Sequence, residues 1–104
     1  MEIFGLKNCD TCRKALKALG PQAQLIDVRA QPLESAFLAN ALEQFGAALV
    51  NTRSTTWRGL SEAERARPPL DVLQDHPALM KRPLVVAQDK MYLGWTKAVQ
   101  EQLL

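Results

Sequence analysis

The order of periodicities at the start of the chain leaves few folds open to it. Residues 2–4 are a short strand-like run. Residues 11–19 repeat apolar side chains at helical spacing, with Ala15, Leu16, Ala18 and Leu19 on one side. Residues 24–28 return to a strand pattern centred on Leu25 and Ile26. Gly5 and Leu6-Lys7-Asn8 form the turn into the helix, Asn8 or Asp10 can cap it, and Gly20-Pro21 stops it. A strand, a helix and a strand in one sheet predict parallel strands joined by a right-handed crossover.

The last third repeats the change of period in another order. Residues 83–86 and 91–93 are strand-like and flank Gln88-Asp89-Lys90, a connection short enough to require an antiparallel hairpin. Gly94 then leads into a final helix with Trp95, Ala98, Val99 and Leu103 on one face. The middle is helical. Residues 33–45 place Phe37, Leu38, Ala41, Leu42 and Phe45 at helical spacing before Gly46, and residues 47–50 fit helix or extended chain equally. Residues 51–59 are polar and predict a loop. Ser61 and Glu64 form a capping-box pattern at a short helix that Pro68-Pro69 breaks, and residues 70–74 and 77–80 predict further helical turns. The order β-α-β, helices, β-β-α predicts an α/β thioredoxin-like fold with a mixed four-stranded sheet. The 104 residues read as a single domain with a helical insertion at about 32–80.

Composition narrows the function. Hydrophobic residues make up 47%, enough for a core at this length, and a net charge of +2 is too small to argue for nucleic acid or a membrane surface. No apolar run reaches the roughly 20 residues a bilayer demands. Met1-Glu2-Ile3-Phe4-Gly5 does not resemble a signal peptide, so a cytoplasmic location is expected. A structural zinc site normally takes four ligands, whereas the chain offers Cys9, Cys12 and His76, so no metal is expected.

Cys-x-x-Cys in this setting points to redox or nucleophilic chemistry. The thiolate is the nucleophile, and an ordinary cysteine is mostly protonated at neutral pH. Cys9 lies at or just before a helix N-terminus, where unpaired N–H groups and the helix dipole favour an anion. Lys7, Arg13 and Lys14 add positive charge, and Asp10 opposes them. Cys12 lies one helical turn on. The spacing permits a disulfide with Cys9, and the expected reading is a reversible Cys9–Cys12 disulfide with Cys12 as the resolving thiol; the alternative is that Cys12 is a small buried hydrophobe.

Three blocks in order, spanning almost the whole chain, resemble one family. Gly5-x-x-Asn8-Cys9-x-x-Cys12-Arg13-Lys14-Ala15, the run from Asn51 to Arg58, and the run from Pro77 to Val86 are similar to the arsenate reductases that couple to glutathione and glutaredoxin. The family also holds the Spx-type regulators, which carry Cys-x-x-Cys. The resemblance implies that Cys9 is the nucleophile, that Arg53 and Arg82 hold an anion, and that Pro83 is cis beside the active cysteine, with Asn8 and Pro83 joining the arginines in substrate binding. Arginine suits that role, being permanently charged and able to donate in a planar fork. It also implies glutathione or glutaredoxin as partner, a small oxyanion or disulfide as substrate, and no bound cofactor. The arsenate-reducing members carry a third arginine after the last strand, where this chain has Gly94-Trp95-Thr96-Lys97.

The expected function is therefore a thiol reductase working as a monomer, with Cys9 attacking and Cys12 or glutathione resolving. The alternative is an Spx-like redox switch that binds RNA polymerase through a Cys9–Cys12 disulfide. Other features are expected to be ordinary: Arg58, Arg65 and Arg67 as solvated charge, His76 as a loop or helix-end residue, Trp57 and Trp95 as packing residues.

Overall fold

The computed structural model describes residues 1–104. Its strands are β1 (Glu2–Gly5), β2 (Gln24–Asp27), β3 (Leu84–Ala87) and β4 (Lys90–Leu93). Its helices are α1 (Asp10–Leu19), α2 (Ser35–Phe45), α3 (Thr55–Arg58), α4 (Glu62–Arg65), α5 (Pro69–Asp75) and α6 (Lys97–Leu103). The chain divides into two compact units, one formed by Met1–Gln31 with Arg82–Leu104 and the other by Pro32–Lys81. No helix is long and apolar enough to cross a membrane.

The first unit holds the whole sheet, in the order β2-β1-β3-β4. β1 pairs with β2 in parallel, as the intervening helix requires, and antiparallel with β3. β3 and β4 are joined by a two-residue turn in which Gln88 and Asp89 both have positive φ, the twist a tight hairpin needs. The strand interior is apolar because β1 and β3 are flanked on both edges. Ile3 and Val85 are fully buried and pack with Ala15 and Leu19 of α1.

Several boundaries differ from expectation. The buried stripe of α1 is Cys12, Ala15 and Leu19, while Ala18 is exposed, because the helix tilts its 12–15–19 edge onto the sheet. The N-cap of α1 is Cys9 itself, not Asn8 or Asp10. Asp10 already has helical geometry and sits in the first turn, where its charge suits the dipole. Trp95 precedes α6 rather than lying on its face. Thr96 caps that helix by accepting the Val99 N–H at 3.2 Å, and Trp95 packs on the core beside Leu103, with Ala98 exposed.

In the second unit, α2 begins at Ser35, two residues later than its apolar pattern, and ends at Gly46 with φ of 59°. The ambiguous segment becomes a 3₁₀ turn, Gly46–Leu49, followed by a lone bridge between Val50 and Met80. The expected loop at 51–59 contains α3, because the Ser54 hydroxyl accepts the Trp57 N–H at 3.2 Å and so nucleates one helical turn. Ser61 caps α4 as its pattern predicts, at 3.1 Å from the Glu64 N–H.

Candidate active site around Cys9

The site is assembled at the end of β1. Leu6 turns the chain, and the Cys9 N–H donates to the Leu6 carbonyl at 3.1 Å. The Lys7 backbone is held on both sides of its Cα: its N–H donates to Asp27 Oδ2 at 3.1 Å, and its carbonyl accepts from Arg13 Nε at 2.8 Å. Cys9 follows in extended geometry, φ −91° and ψ 119°, and its carbonyl accepts the Arg13 N–H at 3.0 Å, the first bond of α1. Its sulfur thus stands where a capping serine or threonine would place its oxygen.

That location decides the protonation of Cys9. Its neutral thiol makes no capping hydrogen bond. Partial burial opposes the thiolate, but the Cys12 N–H, the Cys12 thiol and the Arg82 side chain, by hydrogen bond and by charge, together pull its pKa below the ordinary thiol value. Cys12 moves the other way. It is fully buried, and burial, with the hydrogen bond and charge of Cys9 added, pushes its thiol up to about 11 against the opposing Leu6 N–H and Arg82. Both cysteines are free thiols. The pair is therefore asymmetric: Cys9 is part-exposed and inclined to ionise, and Cys12 is buried and holds its proton.

Two further features belong to the same place. The Arg82–Pro83 peptide is cis and Pro83 is fully buried, with the Pro83 carbonyl accepting the Gly94 N–H at 2.8 Å. Gly5 leaves the space that Cys12 fills, since a Cβ on Gly5 would stand on the Cys12 sulfur.

Residues 4–103 match the ArsC family. The chain belongs to the ArsC family. An uncharacterised protein of Haemophilus influenzae is 41% identical to it over 103 residues, covering 91% of this chain and 90% of that one. Among solved structures, an arsenate reductase (ArsC) related protein from Brucella melitensis is 28% identical with a TM-score of 0.70, over 97% of this chain and 91% of that chain. The YffB protein shares the fold at a TM-score of 0.88 and 23% identity, over 99% of this chain and 97% of that one. The fold of this ArsC-family chain is the thioredoxin-like one expected from its element order.

Of the residues singled out in the sequence, Cys9, Cys12, Arg82 and Pro83 lie in the first unit, with Arg82 and Cys12 both acting on the Cys9 sulfur. Asn8 is exposed in the turn before Cys9. Arg53 lies in the second unit and is exposed, its N–H donating to Asn51 Oδ1 at 3.1 Å. It lines an open depression of about 470 Å³ with Lys81, Ala47, Ala48, Val50, Asn51 and Thr52. Sequence reasoning missed Asp27, the room that Gly5 leaves for Cys12, and the organisation of two arginines. Arg65 is not merely solvated: it lies over the Trp57 ring, 5.8 Å from its centroid, and donates to the carbonyls of Trp57 and Arg58. Arg67 bridges Glu64 at 3.0 Å and Asp75 at 2.7 Å, and His76 ends α5 at 3.4 Å from Glu64. The signal was present in the Arg67 spacing, three residues after Glu64, a pairing distance on a helix. No group of three or more His, Cys, Asp or Glu side chains converges as a metal site would require.

Proposed function

We propose that this ArsC-family chain is a thiol reductase that uses the Cys9 thiolate as nucleophile and glutathione as cosubstrate. The observation that carries the reading is the place of Cys9: the N-cap of α1, with the Arg82 side chain on its sulfur. On a mixed disulfide of glutathione with a substrate thiol, the Cys9 thiolate attacks the glutathionyl sulfur. The substrate sulfur leaves with the electron pair of the broken bond and takes a proton from solvent. A second glutathione thiolate then attacks the sulfur of glutathione bound to Cys9, releasing oxidised glutathione and returning the Cys9 thiolate, so one disulfide is reduced as another forms. Glutaredoxin is the protein partner that can take over this second step.

External thiol is assigned the resolving role because of Cys12. A thiol at about 11 is only about one part in ten thousand ionised at pH 7, about 100-fold less than a thiol at the ordinary value near 9. Once Cys9 is in a disulfide its charge no longer raises Cys12, but burial, the largest cause, still does, and this keeps internal attack the slower route. Arg82 stabilises negative charge at the reacting sulfur, and Arg53 is assigned the anionic part of the substrate from its family position. Asn8 and Pro83 take substrate contacts by the same match. The protein acts as a monomer, with no nucleic acid or membrane partner.

Turnover of a glutathionylated peptide, followed by formation of oxidised glutathione, tests the proposal. Cys9→Ser should abolish it and Cys12→Ser should retain most of it. Turnover by Cys9→Ser at the wild-type rate would overturn the assignment, and complete loss in a folded Cys12→Ser would move the resolving role to Cys12. A redox regulator would instead show no turnover and a polymerase complex that depends on the oxidation state of the two cysteines.

A further inference from the structure

We propose that Asp27 and Arg13 are positioning residues that grip the Lys7 backbone, Asp27 at its N–H and Arg13 at its carbonyl, and so hold Cys9 in its capping conformation, an inference that rests on Cys9 being the nucleophile. Asp27 ends β2, directly opposite Gly5 at the end of β1. One carboxylate oxygen takes the Lys7 N–H at 3.1 Å, while the other takes the N–H groups of Arg29 at 2.9 Å and Ala30 at 3.4 Å. The Val28 N–H donates to the Gly5 carbonyl at 2.9 Å, so the carboxylate is anchored by the turn that follows its own strand. On the other side, Arg13 makes two bonds of different kinds, its backbone N–H to the Cys9 carbonyl at 3.0 Å and its Nε to the Lys7 carbonyl at 2.8 Å.

Residues 6–9 are thereby closed into a circuit that runs from the sheet through the turn to the first turn of α1. The circuit matters because helix-end stabilisation of an anion falls off within a single turn. If the Lys7 backbone is released, Cys9 can leave its extended φ and ψ, and its sulfur loses the Cys12 N–H that favours the thiolate. Neither Asp27 nor the Arg13 side chain touches substrate in this role; both act through Lys7.

The sign of the effect separates positioning from simple electrostatics. A carboxylate acting on Cys9 only through its charge disfavours the thiolate, so its removal lowers the Cys9 pKa. A carboxylate acting through the peptide it holds favours the thiolate, so its removal raises the pKa.

The test is the pH profile of Cys9 alkylation by iodoacetamide, read by mass, in the intact chain and in Asp27→Ala, Asp27→Asn, Arg13→Lys and Asp27→Ala with Arg13→Lys. Asp27→Ala should move the midpoint upward and slow alkylation at pH 6 by about 3- to 10-fold, with the rate at alkaline pH unchanged. Asp27→Asn keeps one acceptor oxygen without the charge and should fall between wild type and Asp27→Ala. Arg13→Lys keeps the charge but loses the Nε donor and should shift the midpoint the same way. The double variant should shift it no further than the larger single change, because both residues hold the backbone of one residue, Lys7. A midpoint that is unmoved or lowered in folded Asp27→Ala overturns the proposal, as does a double variant with additive shifts. If Asp27→Ala does not fold, Asp27→Asn and Arg13→Lys carry the same reading. Alkylation uses no glutathione, so failed disulfide turnover would leave a shifted midpoint standing, and an unshifted midpoint defeats the clamp whether or not turnover occurs.

Discussion

Replacing Gly5 with alanine tests how tightly Cys12 is built into the site. Gly5 lies in β1 without a left-handed backbone, so alanine meets no φ penalty there. The obstacle is steric: its Cβ would stand on the Cys12 sulfur, closer than real Cβ atoms approach other atoms, and 3.4 Å from the Cys12 Cβ. Cys12 is 0% exposed and belongs to the stripe that packs α1 on the sheet, so the sulfur cannot swing into solvent. Overpacking of this kind costs about 1–3 kcal/mol, against which the stiffer unfolded chain returns about 0.4–1 kcal/mol. A net loss of about 1–2 kcal/mol corresponds to a fall in Tm of about 5–15 °C for a chain of this size. Cys12→Ala removes the sulfur and leaves two ordinary van der Waals contacts, 3.4 Å to the residue-12 Cβ and 3.9 Å to Leu25 Cδ1. In that background Gly5→Ala should be neutral or stabilising, giving a coupling of about 2 kcal/mol for residues in direct contact. Thermal and urea unfolding of the four proteins would measure it. Gly5→Ala that leaves wild-type stability unchanged, or costs the same in both backgrounds, refutes the packing argument.

Three other outcomes are expected. Arg82→Ala should raise the alkylation midpoint of Cys9 by about one pH unit, and Arg82→Lys should recover part of it, since lysine keeps the charge without the planar fork; an unmoved midpoint in Arg82→Ala removes Arg82 from the site. Because folding raises the Cys12 pKa to about 11, its contribution to stability is complete below the unfolded thiol value near 9 and is lost as pH rises through 11. Urea midpoints should therefore drop between pH 9 and 11, by at most about 3 kcal/mol, and Cys12→Ala should lack that drop. Arsenate should be reduced slowly, for want of an arginine after β4. Thr96→Arg forfeits the α6 cap and Trp95→Arg the core packing, so Lys97→Arg, at an exposed first-turn position, is the replacement that should speed it; fast arsenate turnover by the unaltered chain would show that arginine to be dispensable.

Much of the fold was legible because it is written in local periodicity. The β-α-β start, the hairpin and the helix stops at Gly20 and Gly46 each follow from a short run of residues. What escaped reading depends on partners far away in sequence or on single side-chain hydrogen bonds. α3 hangs on one Ser54 hydroxyl, too slight a signal within a polar stretch. The cap of α1 fell to Cys9 because the turn geometry set by Leu6 and Lys7, rather than capping preference, decides where the helix begins. Cys9 and Arg82 stood out by residue type and family position, but the asymmetry of the two thiols rests on the burial of Cys12 and on what Cys12 and Arg82 do at the Cys9 sulfur, neither of which a sequence displays. Asp27 gave no sign, since its partner Lys7 lies 20 residues away across a strand pairing that no local pattern records. Arg65 looked like surface charge because a guanidinium over a ring and a solvated guanidinium have the same sequence.

The sheet order has a consequence for the sequence of events in folding. β1 pairs with β2 nearby in the chain, but its other neighbour, β3, begins only at Leu84, with Glu2 matched to Val86. Closing a loop of that length costs about 4 kcal/mol in chain entropy before any strand bond forms. The intervening segment lowers that cost by folding on itself: the Asn51 N–H donates to Leu79 and the Lys81 N–H to Leu49, which ties residues 49–81 into a short bypass. Arg82 is the first residue after that bypass. It can reach the Cys9 sulfur only when β3 has docked beside β1, so a chain that has formed β1, α1 and β2 carries Cys9 without the guanidinium that favours its thiolate. Full priming of the nucleophile thus requires the β1–β3 pairing, and a molecule that lacks it is a chemically quieter one.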